Sequence, residues 1–240
     1  MRGYAQFHLQ RAKNDKIDAA LIASCTAAVR TIHAPPDPRL LPFAEHLTMI
    51  EQIGEDIARL KNRLETCRKP HFRQLWQEDI ARLATRAKAE LKALVATIRQ
   101  HRDLAERLDL IESVDGIGLP TAVAILVRLP EIGKITREQA AALAGVAPYD
   151  DDSGEQIGVR HIDGGRQRLR RALYTAALPA SFRWNPQLVA LYRRLIVAGK
   201  QHKRALIACA RKLLIFANTV VARGTPWQHQ QPPITASAGA

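Results

Sequence analysis

Between Phe43 and Leu64 the apolar residues Leu47, Ile50, Ile53, Ile57, Leu60 and Leu64 recur three and four apart. That spacing lines them up on one stripe of an α-helix and is incompatible with an alternating strand. Glu51, Glu55, Arg59 and Lys61 occupy the other faces. The pattern pauses at Arg68-Lys69-Pro70-His71, resumes with Leu83, Ala87, Leu91, Leu94 and Ile98, and is expected to run on to Leu108. Two long helices with a short link fold back as a hairpin. The apolar stripe is narrow, which suits a two-helix seam. Periodicity does not separate a seam closed within one chain from one closed between two. An ordinary helical subdomain and a dimerising coiled-coil arm both stand at this point.

The rest of the chain is also expected to be mainly α. Ala34-Pro35-Pro36-Asp37-Pro38 breaks the pattern upstream and marks a boundary. Before it, Asp15 and Asp18 sit three apart, so on a helix they share a face. By themselves they read as a solvated helix start. Downstream, Ser113-Val114-Asp115-Gly116-Ile117-Gly118 leads into Pro120-Thr121, a helix-hairpin-helix-like segment. There Gly116 and Gly118 would let a nucleic-acid phosphate reach the backbone and the free amides of the next helix. A tight turn between core helices explains the same glycines. Thr136 and Gln139 predict a capping box, and Gly145 a helix stop. Residues 146–166 read as loop, with a short hairpin around 157–162. Helices are expected over about 168–181, 186–197 and 201–221, with Gly199 dividing the last two. The stretch from Pro226, rich in Gln, Pro, Ser and Ala, reads as a disordered tail.

Charge narrows the function. Thirty-six Lys and Arg stand against 23 Asp and Glu, a net +13, which points to a polyanionic partner. Asp163 is the last acid in the chain. The cations after it lack neighbouring carboxylates in sequence, so phosphate is the expected counter-charge. Cys25, Cys67 and Cys209 make no zinc spacing, and they fit reduced thiols in a cytoplasmic protein. No uninterrupted apolar run reaches the length of a membrane span, so no membrane partner is expected.

Several motifs then occur in a recognisable order: Lys13-Asn14-Asp15-Lys16-Ile17-Asp18-Ala19, Leu143-Ala144-Gly145-Val146-Ala147-Pro148-Tyr149-Asp150-Asp151-Asp152-Ser153-Gly154, His161-Ile162-Asp163-Gly164-Gly165-Arg166, Gly199-Lys200 and Ala210-Arg211-Lys212-Leu213-Leu214. From near Gln6 to about Trp227 the chain resembles the insertion-sequence family one-ten transposases. Asn14 stands where that family's first motif usually has Thr. The resemblance implies a remnant of a RuvC-like nuclease domain over 1–33, a helical hairpin or coiled-coil arm over 34–108, a compact serine-bearing transposase domain over 109–225 and the tail over 226–240. It also implies that Asp15 and Asp18 are the last two of four magnesium-binding acids (Asp, Glu, Asp, Asp) and that Ser153 is the nucleophile of a phosphoserine intermediate. The implied partners are DNA, a structured guide RNA and further copies of the chain, from dimer toward tetramer. Arg160, Arg166, Arg170 and Lys200 are the candidate phosphate contacts.

Chemistry agrees with these residue types. Mg²⁺ prefers carboxylate oxygens, and a serine hydroxyl needs activation before it attacks phosphorus. Apart from the resemblance, a serine before a glycine is an ordinary turn residue, and Asp150-Asp151-Asp152 reads as a solvated loop. The family's first Asp and Glu would lie before Met1. Two carboxylates make a poor magnesium site, so Mg²⁺ is expected only in a completed site and this chain is expected to be a truncated copy, inactive alone. Two functions follow: a transposase subunit, completed by an intact partner in a mixed oligomer, or a non-catalytic nucleic-acid-binding, dimerising protein that modulates an intact transposase. A repair-type helix-hairpin-helix protein would explain Gly116 and Gly118 but not the Ser153 region.

Overall fold

A computed structural model describes residues 15–28, 37–147, 162 and 164–228. Residues 1–36 and 37–240 form two separate units. In the first, one helix is described, α1 (Asp15–Ala28). The described residues are helical with no strand, as the 3.6-residue patterning requires.

The second unit begins with a hairpin. α2 (Leu40–Thr66) and α3 (Pro70–Arg99) pack along each other. Pro70 opens α3, where its missing N–H costs no helical bond. Leu40, Phe43, Leu47 and Ile53 near one end of the hairpin, with Leu94, Val95 and Ile98 opposite them, are buried. Between residues 54 and 93 none is. The expected run to Leu108 is interrupted. α3 stops at Arg99, His101 takes an extended conformation, and α4 (Arg102–Glu112) starts a new direction. Arg39 fixes the hairpin entry by forking between Asp37 (2.6 Å) and Asp103 on α4 (2.7 Å).

α5 (Leu119–Arg128) lies at the centre, with every residue from Ala122 to Val127 buried. α4, α6 (Arg137–Ala144), α7 (Gln167–Pro179) and α9 (His202–Arg223) contribute to the same core, and α8 (Pro186–Val197) packs on α9. The chain leaves α5 over two carbonyls, Pro130 O and Ile132 O, which both accept from the Arg107 guanidinium (3.1 and 3.3 Å). Burial pushes the pKa of that arginine below its usual value. Asn218 ties α9 to the same connection: it accepts from Gly133 N (2.7 Å) and donates to Ile135 O (2.9 Å).

Local signals hold where they were strongest. Thr136 and Gln139 form the reciprocal capping box of α6, and Gly145 ends that helix in the left-handed region. Asn185 caps α8 through Leu188 N (3.2 Å), and Gly199, at φ +74°, turns the chain into α9. α9 is long and apolar enough to cross a membrane, although Arg211 and Lys212 interrupt it. Ten of its side chains are buried in this protein core, so its apolarity has an internal use.

Candidate nucleic-acid interface and the base of the serine loop

The two flanks of the segment that contains Ser153 meet backbone to backbone. Arg166 N, at the entry to α7, bonds Leu143 O of α6 (2.8 Å), while Val146 N closes the exit of α6 on Ala141 O (2.9 Å). Gly145, Gly164 and Gly165 all have positive φ, a conformation that disfavours a side chain. A Cβ on Gly165 would lie 2.4 Å from Gly145 N and Cα. Only glycine permits this approach. Arg170 Nη1 closes the clasp by donating to Gly164 O (3.0 Å) and Gly145 O (3.3 Å). Residues 148–161 and 163, with Ser153, Arg160 and all but the last residue of the hairpin expected at 157–162, lie outside the described residues.

The arginines that follow are held by groups of the protein itself. Arg170 holds main-chain carbonyls. Arg166 is bidentate to Glu131 (2.6 and 2.7 Å). Arg168 and Arg128 share Glu51: Arg128 donates through Nε (3.0 Å) and Nη2 (2.6 Å), Arg168 through Nη1 (2.8 Å). Arg171 bonds Glu55, whose pKa that contact lowers from its ordinary value. The acid-free stretch after Asp163 therefore takes carboxylates from α2 and from Glu131. The open cleft lined by Arg128, Arg166 and Arg168 has its three guanidiniums held by two carboxylates, and a phosphate entering it would compete with Glu51 or Glu131. Arg166 and Arg170 are structural in this state rather than free phosphate contacts.

Gly116 also has an internal reason. Its φ is +92°, and a Cβ there would lie 2.4 Å from Ala180 Cβ. The turn approaches the protein's own helix at this point. Asn185 Nδ2 bonds Asp115 O (3.0 Å), and Trp227 donates from N to Ser113 Oγ (2.9 Å) and from Nε1 to Asp115 Oδ2 (3.0 Å). Trp227 also packs its ring on Phe216, so the expected tail from Pro226 includes a docked residue. Gly118 differs: its φ is −85°, and a Cβ would meet only Pro120 Cδ at 3.8 Å. It stands at the start of α5 with open space before it.

Lys200 is exposed, as expected of a phosphate contact. Among the described residues it makes no ion pair, and neither do Arg193, Arg194, Lys203, Arg204 or Arg211. Asp15 and Asp18 stand three apart in the first turn of α1. No group of three or more His, Cys, Asp or Glu among the described residues could hold a metal. These two positions alone do not fit a magnesium site.

Sequence reasoning missed Glu51, Glu55 and Glu131 as partners of the C-terminal arginines. It also missed the half-exposed Phe182 and Trp184. The pairing has no local signal, but the acid deficit after Asp163 was itself a reason to seek acids elsewhere in the chain.

A helical domain built around a glycine-clasped loop, with free cations beyond it, matches the family described as "Transposase IS116/IS110/IS902 family" over residues 108–193. The match spans 86 of the chain's 240 residues and is a likeness to that family's transposase domain. Among curated proteins, the pilin gene-inverting proteins of Moraxella bovis and Moraxella lacunata are each 30% identical over 128 residues, 52% of this chain and 40% of theirs. The insertion element IS110 uncharacterised 43.6 kDa protein of Streptomyces coelicolor is 28% identical over 155 residues, 64% of this chain and 38% of its own. The alignments thus span about two fifths of these relatives' length.

Proposed function

We propose that this chain contributes the serine-bearing half of a DNA transposase, and that Ser153 joins strands through a phosphoserine intermediate. The observation that carries the reading is the family match over 108–193, which spans Ser153 and both flanks of the clasp. In this reaction Ser153 Oγ forms a bond to a DNA phosphorus. A P–O ester bond breaks, and the departing hydroxyl takes up a proton. A second DNA hydroxyl then attacks the phosphoserine and restores the serine. Arg170 and the paired glycines keep the loop ends in register, which lowers the entropy lost when Ser153 is aligned.

Mg²⁺ would neutralise developing charge on the phosphate. Its full ligand set needs carboxylates beyond Asp15 and Asp18, from sequence N-terminal to these residues or from an intact partner subunit. DNA and a structured guide RNA are the proposed nucleic-acid partners. The hairpin of α2 and α3, whose seam is nowhere fully buried between 54 and 93, supports pairing with a second copy, from dimer toward tetramer. The Moraxella relatives' name, gene inversion, supports DNA recombination as the reaction class.

The test is covalent trapping with Mg²⁺, the element's end sequences and its RNA, comparing wild type with Ser153→Ala, each with and without an intact relative. A Ser153-dependent adduct on this chain when the relative is present supports the reading. An adduct on the Ser153→Ala chain refutes the assignment. Binding and pairing without any adduct would replace it with a non-catalytic, modulating role.

A further inference from the structure

α7 does not end cleanly. After Pro179 the backbone widens into a π-helical turn, Ala180–Trp184, closed by Asn185 N on Ala180 O (3.1 Å). The turn points Ala180, Ser181 and Asn185 inward, all buried. Three successive residues, Phe182, Arg183 and Trp184, are left outside. Phe182 is 52% and Trp184 57% exposed. Two large aromatics exposed within one turn are unusual on a soluble surface and mark a contact site.

The surroundings decide what they contact. Phe182 meets Tyr192 of α8 edge-on (4.9 Å between ring centres), and His202, at the start of α9, lies 6.4 Å away with nearly parallel rings. Tyr192 Oη and His202 Nδ1 are hydrogen-bonded at 2.7 Å. The rings of Phe182, Tyr192 and His202 therefore form one braced cluster drawn from three elements, and Trp184 stands exposed on the same turn as Phe182. The cluster's sequence neighbours are cations: Arg183, whose guanidinium lies over the Trp184 ring at 5.0 Å, with Arg193, Arg194, Lys200, Lys203 and Arg204. Neither the turn, α8 nor α9 contains an acid. Unlike Arg168 and Arg171 of α7, none of these cations has a carboxylate partner among the described residues.

We propose that this aromatic–cationic cluster binds unpaired nucleotides of a single strand, whose bases stack on Trp184 and Phe182 and whose phosphates meet the surrounding cations. The inference rests on nucleic acid being the partner and adds where an unpaired stretch is held. A duplex offers phosphates but keeps its base faces stacked inside, so it would use the cations and leave the rings idle. A protein partner would have to be strongly acidic and also cover the exposed rings. Single-stranded nucleic acid supplies both features in one polymer.

The test uses the full chain and fluorescent oligo(dT) and oligo(U) of about 16 nucleotides, with a DNA duplex of equal length. Trp184→Ala should weaken both single strands by about five- to a hundredfold, leave duplex affinity within about twofold, and keep the wild-type salt slope, because no phosphate contact is lost. Trp184→Phe should restore most of the affinity, since a ring is again available. Arg193→Gln with Arg194→Gln should weaken all three probes and flatten the salt slope. Equal losses on duplex and single strands, unchanged single-strand affinity in Trp184→Ala, or no rescue by Trp184→Phe would each overturn the proposal. If the wild type bound no nucleic acid at all, the proposed function would fall with it. If binding persisted without dependence on Trp184, only this inference would fall.

Discussion

Glu51 on α2 accepts three hydrogen bonds from two arginines, Arg128 on α5 and Arg168 on α7, so its removal should loosen the joint between the hairpin and the domain that carries the serine loop. The Glu51 and Arg128 side chains are only 21% and 14% exposed. Replacing Glu51 with Ala would leave Arg128 largely out of water with Thr48 Oγ1 (3.1 Å) as its remaining partner. Exposed pairs contribute at most about 1 kcal/mol, and breaking a fully buried one costs about 3–5 kcal/mol. Intermediate exposure places Glu51→Ala at about 2–3 kcal/mol. For a unit of this size that corresponds to a fall in melting temperature of roughly 4–12 °C. Thermal melts followed by circular dichroism at neutral pH would measure it, with a double-mutant cycle through Arg128→Met. The double mutant should be more stable than additivity predicts, because each single change strands the other group. The loss should persist at high salt, since a pair this sheltered is poorly screened. A loss below about 0.5 kcal/mol, additive single changes, or disappearance of the effect in salt would refute the reasoning.

Three further outcomes follow from the same geometry. Gly165→Ala should cost about 2–4 kcal/mol, combining a positive φ with a backbone overlap, whereas Gly164→Ala, with a similar φ but open space around it, should cost only about 1–2 kcal/mol; equal effects in denaturant titrations would contradict the clasp. Asn218→Ala leaves Gly133 N–H and Ile135 C=O without their partner and should destabilise by roughly 2–4 kcal/mol, while Asn218→Asp, which keeps an acceptor but loses the donor, should leave Ile135 unsatisfied and recover only part; full recovery in urea melts would show that the donor is idle. The Arg39 guanidinium holds the carboxyls of both Asp37 and Asp103 below the usual carboxylate range. Depressed folded pKa values give stabilisation that is present above the unfolded pKa, about 4, and lost as pH falls through the folded values. The stability gap between wild type and Arg39→Gln should therefore stay constant from pH 7 to about 5 and close below about pH 4; a gap that closed near pH 6 would point to a different group.

Helix-forming segments were legible because a helix is made of contacts three and four residues apart, and those are written consecutively in the chain. The stripe from Leu47 to Leu64, the Thr136–Gln139 box and the stop at Gly145 each need no distant partner, and each is found where the sequence puts it. The family's motifs were legible for the same reason. The fate of the charges was not. Arg166, Arg168 and Arg171 sit in an acid-free stretch and looked committed to phosphate, yet Glu131, Glu51 and Glu55 reach them from 35 to 117 positions away. The break at His101, the docking of Trp227 on Ser113, Asp115 and Phe216, and the contact of Gly145 with Gly165 likewise depend on packing that no local pattern encodes. Local periodicity determined that this chain is helical and which faces are apolar. Packing decided which cations are consumed inside the molecule and which, around Phe182 and Trp184, remain free to meet a ligand, because a charge pairs with whatever carboxylate the fold places within reach.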